Sequence, residues 1–224
     1  RSALPSTCAA LTVTADSART YVTTGEEDDW NTTDGGNWES AGNWTPHVPS
    51  SNSAAVIALS GSYIVSITSS TALAGTLTIN NADAVLAADS GYALTVNGAA
   101  TLDASANVSV GNAVVLNAGL TVGGANDIAL GGLVSGIGTL GYNGTATLAL
   151  NGANVGLLGG VNLAGGTLSV GNNLALGTGG LGVSGSANLS AGIPGIALGN
   201  NVTLNGGNLA LNKALREARL GGRD

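Results

Sequence analysis

Apolar and polar positions alternate along this chain in short triplets, and the triplets recur. Val108-Ser109-Val110, Ile128-Ala129-Leu130, Leu148-Ala149-Leu150, Leu168-Ser169-Val170, then Leu189 and Leu209-Ala210-Leu211 have first residues 20, 20, 20, 21 and 20 positions apart. A second series, Leu120, Leu140, Val161, Leu181 and Val202, keeps the same step. A third and looser one reads Val114, Val134, Val155, Leu174, Ile196. Three interleaved series at one period predict three short strands per repeat, the signature of a solenoid. Alternation inside each triplet sends every second side chain inward. The expected fold is all-β, a right-handed parallel β-helix with about 20 residues per three-strand coil. Each strand pairs with its counterpart one coil away.

Upstream the same pattern is degenerate, in Val56-Ile57, Tyr63-Ile64-Val65, Leu77-Thr78-Ile79 and Leu94-Thr95-Val96, as terminal repeats commonly are. The chain therefore divides into an N-terminal segment with a cap (1–53), the β-helix repeats (54–212) and a basic tail (213–224) that is a helical cap or a cut edge. Gly and Asn pairs such as Gly123-Gly124, Asn143-Gly144, Asn151-Gly152, Gly171-Asn172 and Asn205-Gly206 fall between triplets. They are expected at sharp corners, where positive φ favours these residues. Asn at equivalent corners can also stack as an amide ladder. About eight coils at a strand spacing of roughly 4.8 Å predict a rod about 40 Å long.

Composition supports a narrow bore over a broad core. The chain has no Phe, no Met and 37 Gly among 224 residues. Charged residues make up 8%, against about 25% in ordinary globular domains. Between Ala104 and Asn212 the only charged residue is Asp127, while Glu26-Glu27-Asp28-Asp29 concentrates acid near the N-terminus. That run is expected to be a solvated loop, because the alternating oxygen ligands and Gly bend of a calcium loop are missing. The net charge of −7 and the lack of a basic patch exclude phosphate-backbone binding, and with it nucleic acid. No apolar run is long enough for a transmembrane helix. Cys8 is the only cysteine, so it has no intramolecular partner. The chain opens at Arg1 without a signal segment and reads as a fragment.

The densest local signal is aromatic. Trp30, Trp38 and Trp44, all the tryptophans of the chain, lie within 15 residues, beside Gly36-Asn37, Gly42-Asn43 and Pro46-His47-Val48-Pro49. Flat indole faces can stack on sugar rings, which makes the three Trp candidate glycan-binding residues. The competing role is a plug: a solenoid end exposes unpaired backbone and apolar bore and needs a cap. His47 is the single histidine, too few for a His-rich metal site, and is expected to be a loop residue.

At Gly165-Gly166-Thr167-Leu168-Ser169-Val170-Gly171-Asn172-Asn173-Leu174-Ala175-Leu176-Gly177-Thr178-Gly179-Gly180-Leu181 the sequence resembles the passenger repeat of bacterial autotransporters. Asn200-Asn201-Val202-Thr203-Leu204-Asn205-Gly206-Gly207 resembles the strand and turn that follow. The Gly-Asn-Trp pairs with Val48-Pro49 resemble the opening of large secreted β-repeat adhesins of Gram-negative bacteria. The resemblance implies a secreted or surface-displayed passenger, held at the outer membrane by a C-terminal β-barrel that this chain does not contain.

The function expected is a non-enzymatic stalk or adhesin, whose partners are host or cell-surface glycans or proteins and which can self-associate laterally. The alternatives are a carbohydrate-binding module using the Trp cluster, or a polysaccharide-active β-helix enzyme, since fold alone does not decide function. Glycoside chemistry needs paired carboxylates, and the regular coils offer only Asp127 and Tyr142, with Asp103 about one coil earlier and so expected on the same face as Asp127. No Lys, Arg or His accompanies them. No catalytic, cofactor-binding or metal residues are assigned, and no cofactor is expected. The Gly-Gly-x-Gly-x-Asp repeats of a calcium-binding roll are missing. An in-register Thr-x-Thr ice-binding face is missing too.

Overall fold

The computed structural model describes residues 26–69, 72–80, 84–88, 92–98, 100–104, 108–111 and 113–211. Leu11–Val13, Cys8 and the basic tail lie outside them. The described chain winds as a parallel β-solenoid of about 7 turns. Eight spacings of roughly 4.8 Å between the nine strands of its longest sheet give a rod about 38 Å long, in line with the length the repeats suggest.

Each turn contributes one strand to two of the faces, and four of the turns add a strand to a third. The first face stacks Glu27–Trp30, Ala54–Ile57 and Thr76–Ile79, then Ala100–Ala104, Leu120–Gly124, Leu140–Tyr142, Val161–Leu163, Leu181–Val183 and Val202–Leu204. The second runs without a break through nine strands from Gly36–Asn37 to Asn208–Leu211. The third holds Leu73–Ala74, Ala93–Val96, Ala113–Leu116 and Val134–Ser135. Beyond that it continues as an isolated pairing of Gly136 with Leu157 and as single backbone hydrogen bonds such as Asn154 N–H to the Leu174 carbonyl.

Alternation of burial explains why these residues make strands. Ala113–Leu116, Thr147–Leu150 and Thr167–Val170 each bury their second and fourth side chains and turn the first and third outward. Facing Val, Leu and Ile fill the bore, and each turn stacks its inward residues on those of the next. On the first face the register follows the sequence period: Leu120, Leu140, Val161, Leu181 and Val202 stand opposite one another in successive turns.

The other two faces depart from the simple period. On the second face Leu189 pairs with Leu211 and Ala187 with Leu209. The last turn is thus shifted by two residues from a uniform 20-residue step. A shift of two preserves which side chains point inward, because the strand period is two. On the third face Val114 and Val134 pair as expected, and Ile196 is buried. Val155 and Leu174, however, are 55% and 45% exposed, and the inward positions belong to Leu157 and Leu176. The reason is an extra residue. Asn154 turns its side chain inward at 1% exposure and pushes Val155 out, which produces the 21-residue step from Leu140 to Val161.

The corners also differ in cause from the expectation. Positive φ occurs at Gly124 and Gly206, but at no Asn among the described residues. At Gly123 and Gly171 the requirement is space. A β-carbon on Gly123 would lie 2.7 Å from Asn143 Oδ1, and one on Gly171 2.5 Å from Asn151 Oδ1. Each Asn leans over a glycine of the neighbouring turn. Among the described residues an amide-to-amide step is formed where Asn117 Nδ2 donates to Asn97 Oδ1 at 2.6 Å.

Candidate functional site

Three of the four acids at 26–29 lie in a strand rather than a loop. Glu27–Trp30 pairs parallel with Ala54–Ile57 and antiparallel with Trp44–Thr45, and it alternates, with Asp28 and Trp30 inward. This strand, Gly36–Asn37 and the 3₁₀ turn Ala41–Asn43 close the N-terminal end of the bore. The antiparallel strand lies at the edge of its sheet, where a further parallel turn would otherwise pair.

The three indoles sit beneath this closure. Trp30, Trp38 and Trp44 are 2%, 0% and 2% exposed. Trp44 is edge-on to both others, with ring centroids 5.2 Å from Trp30 and 4.8 Å from Trp38. Trp30 stacks on Tyr63 of the first full turn at 6.1 Å. Such edge-to-face and stacked pairs are the favoured geometries of quadrupolar rings. Trp44 Nε1 donates to the Trp38 carbonyl and Trp30 Nε1 to that of Thr32, each at 2.6 Å. Trp38 Nε1 is buried without a hydrogen-bond partner. No indole presents an open face to solvent.

Two carboxylates fasten the closure. Asp28, 2% exposed, accepts from Ser53 Oγ at 2.6 Å and from the His47 backbone N–H at 3.1 Å. His47 is exposed, with Nδ1 3.3 Å from Glu26 Oε1. Glu39 reaches the first full turn, accepting from the backbone N–H and hydroxyl of Thr68 and from those of Ser69 at 2.9–3.3 Å. Partial burial pushes its carboxyl up, but hydrogen bonds from its own backbone, from Ser69 and from Thr68 outweigh that and hold it below the usual carboxylate range. Neither fastening is announced by a motif. The strand-like alternation within residues 27–30 is the one signal that marks Asp28 as inward.

The acids considered for catalysis do not come together. Gly123, not Asp127, stands opposite Asp103 on the first face. Asp127 lies past that strand on the following corner, where Oδ1 accepts the Thr147 backbone N–H at 2.9 Å. The side chain of Asp103 is outside the described residues. Tyr142 points into the bore with its hydroxyl buried and unpartnered. Burial, and secondarily the Asp127 charge, raise its pKa. Among the described residues no group of three His, Cys, Asp or Glu side chains could hold a metal ion. No helix among them is long and apolar enough to cross a membrane.

No family model, curated protein or solved structure matches this chain.

Proposed function

We propose that the chain is a non-enzymatic β-helical stalk or adhesin, displayed on a bacterial surface or secreted, and a piece of an autotransporter passenger. The observation that carries this reading is the use of the regular turns. Their inward apolar side chains fill the bore, and their outward positions carry almost no charge: Asn, Ser, Thr and Ala, with exposed Leu, Ile and Val on the third face. A general acid, a base or a metal site has nothing to be built from on such faces. The passenger-repeat resemblance at 165–181 supports secretion and display.

Burial of Trp30, Trp38 and Trp44 favours the capping role over a sugar platform, since stacking on a pyranose requires an exposed ring face. Reading the coding sequence beyond Asp224 tests the display claim. An outer-membrane barrel, with alternating strands of about ten residues, is the expected continuation. A stop codon or an unrelated domain would remove the support for display.

A further inference from the structure

The sequence holds four Asn-Gly pairs, Asn97-Gly98, Asn143-Gly144, Asn151-Gly152 and Asn205-Gly206, and each follows a strand at a corner of the solenoid. Such a pair is chemically labile. The glycine nitrogen, with no side chain beside it, attacks the asparagine carboxamide once the corner brings the two atoms within about 3–3.5 Å. Three of the four corners are held. Gly98 N–H donates to the Gly75 carbonyl, and Asn97 Oδ1 accepts from Asn117. Gly144 is buried against the Tyr142 ring and the Gly124 carbonyl, and Gly152 packs against Asn154 Oδ1 and the Gly132 carbonyl. Asn205-Gly206 differs from all of these. Gly206 is exposed, with φ +79° and nothing within 4 Å of a β-carbon built on it. Among the described residues neither the Asn205 carboxamide nor the Gly206 N–H has a hydrogen-bond partner. The corner joins Val202–Leu204 to Asn208–Leu211, two strands paired on one side only.

We propose that Asn205 is a self-modification site, which converts to aspartate and isoaspartate while the other three pairs stay intact. The Gly206 nitrogen bonds to Asn205 Cγ and the Cγ–Nδ2 bond breaks. The displaced amino group takes the Gly206 amide proton and leaves as ammonia. Water then opens the succinimide ring. Cleavage of the bond from the ring nitrogen to Cγ gives aspartate. Cleavage of its bond to the former backbone carbonyl carbon gives isoaspartate, whose main chain runs through Cγ. The net change consumes one water and releases one ammonia, with nothing oxidised or reduced. Either product sets a carboxylate in a stretch, Ile128 to Asn212, that otherwise carries no charge. Isoaspartate also lengthens the main chain between two bonds that seat the last turn, Asn205 N–H to the Val183 carbonyl and Asn208 N–H to the Gly185 carbonyl. With a neighbour on one side only, that turn has the least to hold it in place.

The test incubates the full 224-residue chain at neutral pH and follows each Asn-Gly peptide by mass spectrometry, folded and in denaturant. In the folded chain Asn205 should exchange amide for acid at least about tenfold faster than Asn97, Asn143 or Asn151, because those corners must open first. In denaturant the four rates should converge. Asn205→Gln, whose cyclisation needs a larger ring, should lose the early phase of ammonia release with circular dichroism unchanged. The proposal is overturned if another of the four reacts as fast in the folded chain, or if all four stay amides. It is equally overturned if Asn205→Gln keeps the early ammonia release. A tenfold ratio that persists in denaturant would also overturn it, since local sequence and not the fold would then select the site.

Discussion

Asn154 Oδ1 accepts the backbone N–H of Val134 at 2.8 Å, across one turn of the solenoid. The same amide donates through Nδ2 to the Ala175 carbonyl of the next turn at 2.7 Å. One buried side chain thus replaces two rungs of a ladder that the backbone cannot complete here. An amide suits the position because it carries both a donor and an acceptor.

Asn154→Ala should therefore leave the Val134 N–H and the Ala175 carbonyl buried and unpaired. The expected loss is about 3 kcal/mol, at about 1–3 kcal/mol for each group left unsatisfied. Chemical denaturation measures it, and exchange of the Val134 amide proton should accelerate more than that of Val114. Unchanged stability would mean that water takes over both bonds.

Glu39 predicts an acid limb in the stability of the cap. Its folded pKa is depressed, so its contribution is fully present above its ordinary value of 4.5 and is lost as pH falls through the lower folded value. Glu39→Gln should be less stable than the wild type at pH 7. The gap should close as the pH is lowered into that window. Thermal melts of the two proteins from pH 7 to pH 3 give the difference directly, with the other carboxylates common to both.

Glycines separate by what surrounds them. Gly136 has φ +108° and a β-carbon there would run into the Leu116 backbone, so Gly136→Ala should destabilise by several kcal/mol, of order 3. Gly199 has nothing within 4 Å, and Gly199→Ala should fall within about 0.5 kcal/mol of wild type. Equal effects at the two sites would contradict the close coil-on-coil approach.

Much of the solenoid was legible because its register repeats. The series Leu120 to Val202 marks the inward position of the first face at every turn. Val155 and Leu174 misled because an apolar residue at the expected interval looks inward even where an insertion has moved it out. The 21-residue step between Leu140 and Val161 was the trace of that insertion, and the polar Asn154 at a bore position was its cause. The acidic run hid a strand for another reason: charge density suggests a loop, while the pairing of Glu27–Trp30 with Ala54–Ile57 and Trp44–Thr45 comes from segments far along the chain. The Trp cluster was visible in the sequence. Whether its faces were open or buried depends on tertiary packing, which spacing alone does not encode.

The most direct test of the stalk account is the double variant Trp38→Ala/Trp44→Ala, followed by thermal unfolding and by binding to a panel of neutral and acidic oligosaccharides. Removing two buried indoles, at about 3–5 kcal/mol each, should lower the melting temperature sharply, promote end-to-end association and leave oligosaccharide binding at the wild-type level. A variant that melts like the wild type but loses binding to an oligosaccharide would contradict the capping role and make the cluster a sugar site.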